Sequence, residues 1–197
     1  MKKSVFILLL FLCSLNGFSQ NFFFVDKKGE KKIIQDDSFD LVIEDKRLQY
    51  VEVGKRWEKF IKFSDLDYAL IGPYYFKSFK LINEKGKKER ETAYFVMLEA
   101  NGKKLLCYPY TIIGKYSSVD HFDIYVIDDN NNILDYVKLN DTGIYTNARG
   151  KIAPFVKKHF SDCKSFMEEF SKYDVPSEKN LIVLQFFKKP FYMKCNN

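Results

Sequence analysis

The sequence predicts an α+β fold: an antiparallel, strand-rich sheet of roughly nine or ten strands, packed by one long C-terminal amphipathic helix and followed by a final strand. Three observations predict it. Phe and Tyr are abundant, with 20 and 13 copies in 197 residues, and aromatic side chains favour strands. Short apolar runs separated by turn residues fill the chain as far as Leu139. Beyond Lys151, apolar residues recur at helical spacing instead.

Residues 1–19 have the three parts of a secretory signal peptide. Two lysines give a positive start, residues 5–12 are apolar, and Ser19 ends a stretch of small and polar residues. The apolar run is far shorter than the roughly 20 residues that a transmembrane helix needs. We therefore predict a signal peptide over 1–19 and a single α+β domain over 20–197. The product would be exported to the periplasm or the cell exterior, with no transmembrane segment after cleavage.

The charge of the chain is mildly basic. The formal net charge is +6, and loss of the two leader lysines would leave about +4. This balance suits solubility and lacks the concentrated basic character of nucleic-acid-binding proteins, so we expect no nucleic-acid partner. With 46% hydrophobic residues, the chain can bury one substantial core.

The first half of the domain is typical of hairpins with identifiable turns. FFFVDKKGEKKII predicts a hairpin that bends over Asp26 to Glu30, and Gly72–Pro73 separates two further apolar runs. YFVMLEANGKKLLCY is the clearest case. Asn101–Gly102 supplies the residue types that best tolerate the positive φ angles of a type I′ turn.

FDIYVIDDNNNILDYVKL predicts another hairpin. Phe122, Ile124 and Val126 should share one face of its first strand, with Asp123 on the opposite face. Its tip, residues 128–132, is rich in oxygen ligands, as a calcium loop is. The Gly and Glu that an EF-hand needs at its sixth and twelfth positions are missing, so we interpret the segment as a hairpin tip. Weak calcium binding is the alternative.

A single amphipathic helix is predicted from Lys151 to Tyr173, with a kink near Ser161–Asp162 as an alternative. At about 100° per residue, its apolar side chains fall on one arc. These are Ile152, Phe155, Val156, His159, Phe160, Cys163, Phe166, Met167 and Phe170. DVPSEKN ends the helix, and LIVLQFF is apolar enough for one last buried strand.

The segment KKHFSDCKSF offers the densest chemistry in the chain. His159 and Cys163 lie four residues apart on the predicted helix, close enough for the imidazole to activate the thiol. Both lie at the centre of the apolar arc, however, where a cysteine is usually buried. We therefore favour a structural role, and keep an enzyme built around Cys163 and His159, or around His121, as the alternative.

The other candidate sites are weaker. SSVDHFD brings Ser117, Ser118, Asp120, His121 and Asp123 together, but a catalytic triad is assembled by the fold and no GxSxG elbow occurs. We interpret this segment as the start of a strand. Phosphate-binding glycine loops and spaced metal-ligand motifs are also missing. The sequence thus predicts no catalytic, cofactor-binding or metal-ligating residue, and no cofactor.

The sequence alone does not determine how the cysteines pair. Cleavage would leave Cys107, Cys163 and Cys195, an odd number, so at least one thiol is free or bridges two chains. Three free, buried thiols are the favoured interpretation. A Cys163–Cys195 disulfide, which would pin the C-terminal tail to the helix, is the alternative. Lipidation at Cys13 is a further alternative, although Leu12 precedes it where such sites carry a small residue.

The whole chain resembles a loose group of short exported proteins of Bacteroidetes-type Gram-negative bacteria. The resemblance lies in a leader ending in FSQ, the segment FSDLDYALI within a strand-rich middle, and a late helix reading FVKKHFSDCKSF. In that helix the group often carries a phenylalanine, a small polar residue, an aspartate and a cysteine, here Phe160 to Cys163. The resemblance implies export and a single domain, and it implies no activity, cofactor or catalytic residue.

These observations predict a non-enzymatic binding or envelope-associated module. Aromatic residues of the sheet would line a concave pocket for a small apolar ligand or a glycan, and an envelope protein is another candidate partner. The enzyme named above is the first alternative. The second is a binder of anionic envelope polymers through lysine-rich loops such as residues 84–91, whose binding would weaken with salt.

Overall fold

The computed structural model describes residues 22–142, 147–177 and 179–195. The predicted signal peptide, including Cys13, lies outside these described residues. Within them the chain forms one eleven-stranded sheet and three helices. The predicted strand-rich α+β fold with an antiparallel sheet is therefore confirmed. None of the helices in these ranges combines the length and the apolar character that crossing a bilayer requires.

The strands follow one another closely along the chain. They are β1 (Phe22–Asp26), β2 (Lys31–Val42), β3 (Arg47–Glu52), β4 (Glu58–Lys62), β5 (Leu66–Ile71), β6 (Tyr74–Phe79), β7 (Thr92–Ala100), β8 (Lys103–Ile113), β9 (Ser118–Asp128), β10 (Ile133–Asn140) and β11 (Met193–Cys195). Their order in the sheet is β10-β9-β8-β7-β6-β5-β1-β2-β3-β4, and each neighbouring pair is antiparallel. β11 differs, because it pairs in parallel with β7.

The predicted turns are the places where the hairpins bend. At the β1–β2 turn, the Asp26 carboxylate accepts two backbone N–H bonds of 2.9 Å from the turn itself. At the β7–β8 turn, Asn101 and Gly102 have φ of 50° and 71°, the positive values on which the turn prediction depends. The β9 side chains predicted to share one face are all buried in the main core: Phe122, Ile124 and Val126.

The C-terminal part of the chain begins with helix α1 (Ala148–Phe160). It starts one turn before Lys151, the predicted start. The reason is that the Asn147 side chain accepts a hydrogen bond of 2.9 Å from the Gly150 N–H and so caps the first turn. Its buried side chains follow the predicted apolar arc as far as Phe160 and join the main core.

The prediction of one continuous helix to Tyr173 is wrong, and the alternative with a kink near Ser161–Asp162 is closer to the structure. The chain turns at Ser161–Asp162, residue types whose side chains compete with helical backbone hydrogen bonds. Helix α2 (Lys164–Ser171) then begins with Cys163 as its N-cap. Cys163 is therefore at a helix terminus, and His159 is on the preceding helix.

The apolar run LIVLQFF is not a strand but a turn followed by helix α3 (Leu184–Lys188). Its buried side chains have the i, i+1, i+3, i+4 spacing of one helix face. They are Val183, Leu184, Phe186 and Phe187. For so short an apolar run, composition alone does not separate a strand from a helix. The final strand is β11, which begins shortly after Pro190.

The two faces of the sheet are covered differently. The buried residues of all three helices belong to one large core cluster on the first face. The other face carries a small cluster around Tyr94, Val96 and Leu106, bordered by half-buried side chains. We call this second surface the tyrosine face, because most of those side chains are tyrosines: Tyr75, Tyr108, Tyr125 and Tyr192.

Candidate functional site

The outer part of β2 forms a cleft with β8, β9 and the end of α3. β2 pairs with β1 as far as Ile33, and with β3 at Ile34 and again from Phe39 to Val42, with a shift of register between Ile34 and Phe39. Two cavities of about 240 and about 380 Å³ lie beside its outer part. Both are lined by Leu41, Pro109 and Lys188, so they adjoin each other, and we refer to the two together as the cleft.

The smaller cavity is the apolar half of the cleft. Its apolar lining comes from five strands and from the segment after α3: Phe39, Leu41, Ile71, Tyr74, Phe76, Phe95, Pro109 and Pro190. The Phe95 ring packs edge-on against the rings of Phe76 and Tyr74, with centroids 5.0 and 6.0 Å apart. This gives the half a fixed aromatic wall. A mostly apolar lining with few charged groups is typical of small-molecule sites.

The larger cavity is the polar half, and it is organised around Lys188. The Lys188 ammonium lies 2.7 Å from the Asp120 carboxylate and 3.6 Å from that of Asp141. The Thr111 hydroxyl donates to Asp120 at 2.9 Å. These hydrogen bonds, that of Lys188 first, hold the pKa of Asp120 below its usual value. The bond to Asp120 also raises the pKa of Lys188.

The charges of the polar half favour some ligands over others. One ammonium faces two carboxylates, and Glu44 adds a third carboxylate to the lining. The polar half therefore carries a net negative charge. Since carboxylates only accept hydrogen bonds, this half is suited to a neutral or cationic group that donates them.

Replacing Lys188 by methionine is expected to raise the pKa of Asp120, because its main stabilising partner is lost and Asp141 remains nearby. Carboxyl-carbon NMR titrations of the two proteins would measure this. Because the folded pKa lies below the unfolded value of about 3.9, the pair stabilises the fold above that pH. That contribution is lost as the pH falls through the lowered pKa.

Lys138→Met is the matched control for this titration. The Lys138 ammonium pairs with Asp123 at 3.2 Å, away from the cleft lining. The control variant should therefore leave the Asp120 titration in place. An Asp120 that titrates at the same pH with and without Lys188 would show that the ion pair does not control its charge.

The structure divides the predicted SSVDHFD cluster. Asp120 and His121 line the cleft, and the His121 ring stacks on Tyr110 with centroids 5.0 Å apart and planes 15° apart. Asp123 pairs with Lys138 instead, and Ser118 is the first residue of β9. The interpretation of this segment as the start of a strand is confirmed, and its serines are not among the residues that line the cleft.

His159 and Cys163 do not form a thiol–imidazole pair. The His159 Nε2 atom lies 2.8 Å from the Asp135 carboxylate on β10, which also pairs with Lys158 at 2.7 Å. The Cys163 sulfur is bonded to that of Cys195, so no thiolate forms there. The helix break and the bridge together remove the site on which the first enzyme alternative depended.

The three cysteines among the described residues fall into two classes. Cys163 and Cys195 form a disulfide with Cα atoms 5.9 Å apart, so the favoured interpretation of three free thiols does not describe this fold. Cys107 is a free thiol and is fully buried. Burial raises the pKa of the Cys107 thiol far above its usual range, so it stays protonated and unreactive in the folded protein.

The β9–β10 tip is held by its own side chains. The Asp128 carboxylate accepts bonds of 2.8 to 2.9 Å from the backbone N–H groups of Asn130 and Asn132 and from the Asn132 side-chain amide. This agrees with the hairpin-tip interpretation. In the part of the chain that the structure describes, no three His, Cys, Asp or Glu side chains converge as a metal site would need.

The sequence did not indicate the tyrosine face. Tyr94 contacts the rings of Tyr108 and Tyr125, with centroids 5.7 and 5.6 Å apart. A third cavity, of about 350 Å³, lies between this face and the loop that contains residues 84–91. Burial and the nearby Glu99 carboxylate raise the pKa of Tyr192 to about 12, so its hydroxyl remains a donor at neutral pH.

Two residues that define the cleft were also missed. Lys188 directly follows the run that was predicted as a strand, and Leu41 is in the part of β2 that pairs with β3. No local pattern marks either residue, because their neighbours in the cleft come from distant parts of the chain. No family model, curated protein or solved structure matches this chain.

Proposed function

We propose that the protein is an exported binding module whose cleft holds a small molecule with an apolar body and hydrogen-bond donors at one end. The observation that carries the proposal is that the apolar and polar halves meet at Lys188. The apolar body would displace water from the aromatic wall, which is the main favourable term. Donors on the other end would face the carboxylates of Asp120, Asp141 and Glu44.

Charge selects among the ligand classes expected from the sequence. An anionic head would meet a net negative polar half, whereas a neutral hydroxyl-bearing or cationic head would gain hydrogen bonds. A small apolar ligand with hydroxyl groups fits both halves. A long glycan fits less well, because the apolar half, of about 240 Å³, offers few hydrogen-bonding groups.

Binding is better supported than catalysis at this cleft. The Thr111 hydroxyl already donates to Asp120. A carboxylate with a lowered pKa is a weak base, so Asp120 is poorly suited to activate that hydroxyl. Export is part of the proposal and rests on the sequence of residues 1–19.

N-phenyl-1-naphthylamine tests the proposal, because it is neutral, has an apolar body and carries one N–H donor. We expect saturable binding, reported by a rise in its fluorescence. Leu41→Trp fills the boundary between the two halves and should weaken binding by roughly tenfold or more. Leu134→Trp is the matched control, since Leu134 is an exposed residue of β10 that does not line the cleft.

A second probe tests the charge argument independently of any variant. 1-Anilinonaphthalene-8-sulfonate has a similar body but carries a sulfonate, so it should bind more weakly than the neutral probe. Equal binding of the neutral probe to both tryptophan variants would place its site outside the cleft. Tighter binding of the sulfonate would contradict the proposed ligand class.

A further inference from the structure

The turn between β3 and β4 presents the single tryptophan of the chain to solvent. Trp57 is 82% exposed, and Val53, at the other end of the turn, is 61% exposed. An indole is large, and most such side chains are at least partly buried in folded proteins. An almost fully exposed tryptophan at a turn therefore points to a surface that covers it.

The turn continues an apolar surface on the neighbouring strands. Ile33 on β2 is 61% exposed, and its carbonyl accepts a hydrogen bond of 3.3 Å from the Val53 N–H. Phe60 on β4 is 57% exposed, with the Arg47 guanidinium 5.5 Å from its ring centroid. The exposed apolar side chains thus come from β2, β4 and the turn.

Basic side chains surround the tryptophan. Lys55 and Arg56 lie between Val53 and Trp57, and no acidic residue occurs in that stretch. The acidic residues on either side are already engaged. Glu52 pairs with Lys59 at 3.1 Å, and Glu58 accepts a bond of 2.7 Å from Gln49.

The turn is held in place by backbone geometry. Gly54 has a φ of 77°, which suits glycine far better than other residues. The Lys55 N–H donates to the Glu52 carbonyl at 2.9 Å, and regular antiparallel pairing of β3 with β4 continues from there. The backbone that carries Trp57 is therefore already ordered, so little backbone conformational entropy is lost when a partner binds the hairpin end.

We propose that this hairpin end docks the protein on an anionic lipid bilayer, with Trp57 and Val53 in the interfacial region and Lys55 and Arg56 at the headgroups. Tryptophan favours that region, where its ring meets the acyl chains and its N–H stays hydrated. Lysine and arginine beside it gain from the negative surface potential. The site is independent of the cleft, since the two share no lining residue.

Lipid is favoured over a protein partner by shape and charge. The turn is a short, exposed hairpin end, and a deformable interface receives such an end without a matching pocket. The combination of an apolar tip with flanking cations is also that of interfacial membrane anchors. A soluble anionic polymer would attract the cations but would give no apolar surroundings for Trp57.

The single tryptophan makes the test direct, because all tryptophan emission comes from Trp57. The protein would be titrated with vesicles of phosphatidylglycerol and phosphatidylcholine in equal amounts, and with vesicles of phosphatidylcholine alone. We expect the emission to move to shorter wavelength with the anionic vesicles, and the effect to weaken as salt screens the cations. The Trp57→Ser variant, whose binding would be measured by vesicle sedimentation, should bind the anionic vesicles at least roughly tenfold more weakly than the wild type.

Two charge-reversal variants distinguish vesicle binding by this turn from a general electrostatic attraction of the basic protein to anionic vesicles. Lys55→Glu with Arg56→Glu should weaken vesicle binding by roughly tenfold or more. Lys87→Glu with Lys88→Glu changes the net charge equally in an exposed loop elsewhere and should bind nearly as wild type. Equal losses in both variants would overturn the proposal. Full competition by dextran sulfate without any emission shift would overturn it in favour of polymer binding.

Discussion

Replacing both Cys163 and Cys195 by alanine is expected to lower the free energy of unfolding by about 3–4 kcal/mol. The bridge joins positions 32 residues apart, and closing such a loop removes entropy from the unfolded chain. It also fastens β11 to the N-terminus of α2. Urea unfolding at equilibrium, followed by far-UV circular dichroism, would measure the difference.

Reduction and a third cysteine variant are the controls for this prediction. Wild-type protein in excess reductant should lose about as much stability as the double variant, which itself should not respond to reductant. Cys107→Ala removes a buried thiol outside the bridge and should keep the response to reductant. A wild type that is equally stable with and without reductant would contradict a structural role for the bridge.

Phe186→Ala is expected to destabilise the protein by about 3–5 kcal/mol, the range for truncating a fully buried aromatic residue. Phe186 is 1% exposed and contacts five other aromatic rings at centroid distances of 5.2 to 5.6 Å. These rings come from α2, α3 and the segments beside them: Phe166, Phe170, Tyr173, Phe187 and Phe191. Removing the ring therefore leaves a cavity where the C-terminal elements meet.

The same urea experiment measures this loss, and Phe60→Ala is its matched control. Phe60 is exposed on β4, so its truncation should change the free energy of unfolding by less than about 1 kcal/mol. Phe186→Leu should fall between the two, because a leucine fills part of the space. Similar losses at Phe186 and Phe60 would mean that the aromatic cluster is not where the stability of the C-terminal part resides.

Local chemistry made the hairpins predictable. Asn101 and Gly102 determine a turn by their own backbone preferences, and the alternation of Phe122, Ile124 and Val126 determines which face of β9 is buried. Predictions failed for segments that could form more than one local structure, such as a strand or a helix, where tertiary packing decides between them. LIVLQFF is apolar enough for a strand, and only its fit against the core makes it a turn and the short helix α3.

The cleft could not be predicted, because its residues are not neighbours in sequence. Lys188 meets Asp120 and Asp141 only after α3 packs against β8, the neighbour of β9 in the sheet. The local pair His159 and Cys163, for which a structural role was favoured and an enzyme site kept as the alternative, does not form a site for the same reason. Each binds a distant partner, Asp135 or Cys195, in preference to the other.

The pairing of β11 with β7 has a consequence for how the protein is made. β6 and β8 are close to β7 in sequence and are available early, but Leu98 pairs with Met193, which is synthesised much later. Part of a central strand therefore keeps an unpaired edge while the chain emerges, and Cys163 must stay reduced until Cys195 arrives. The native sheet is thus completed only after the C-terminal part of the chain has been synthesised, and a chaperone that holds the chain would protect that edge during the interval.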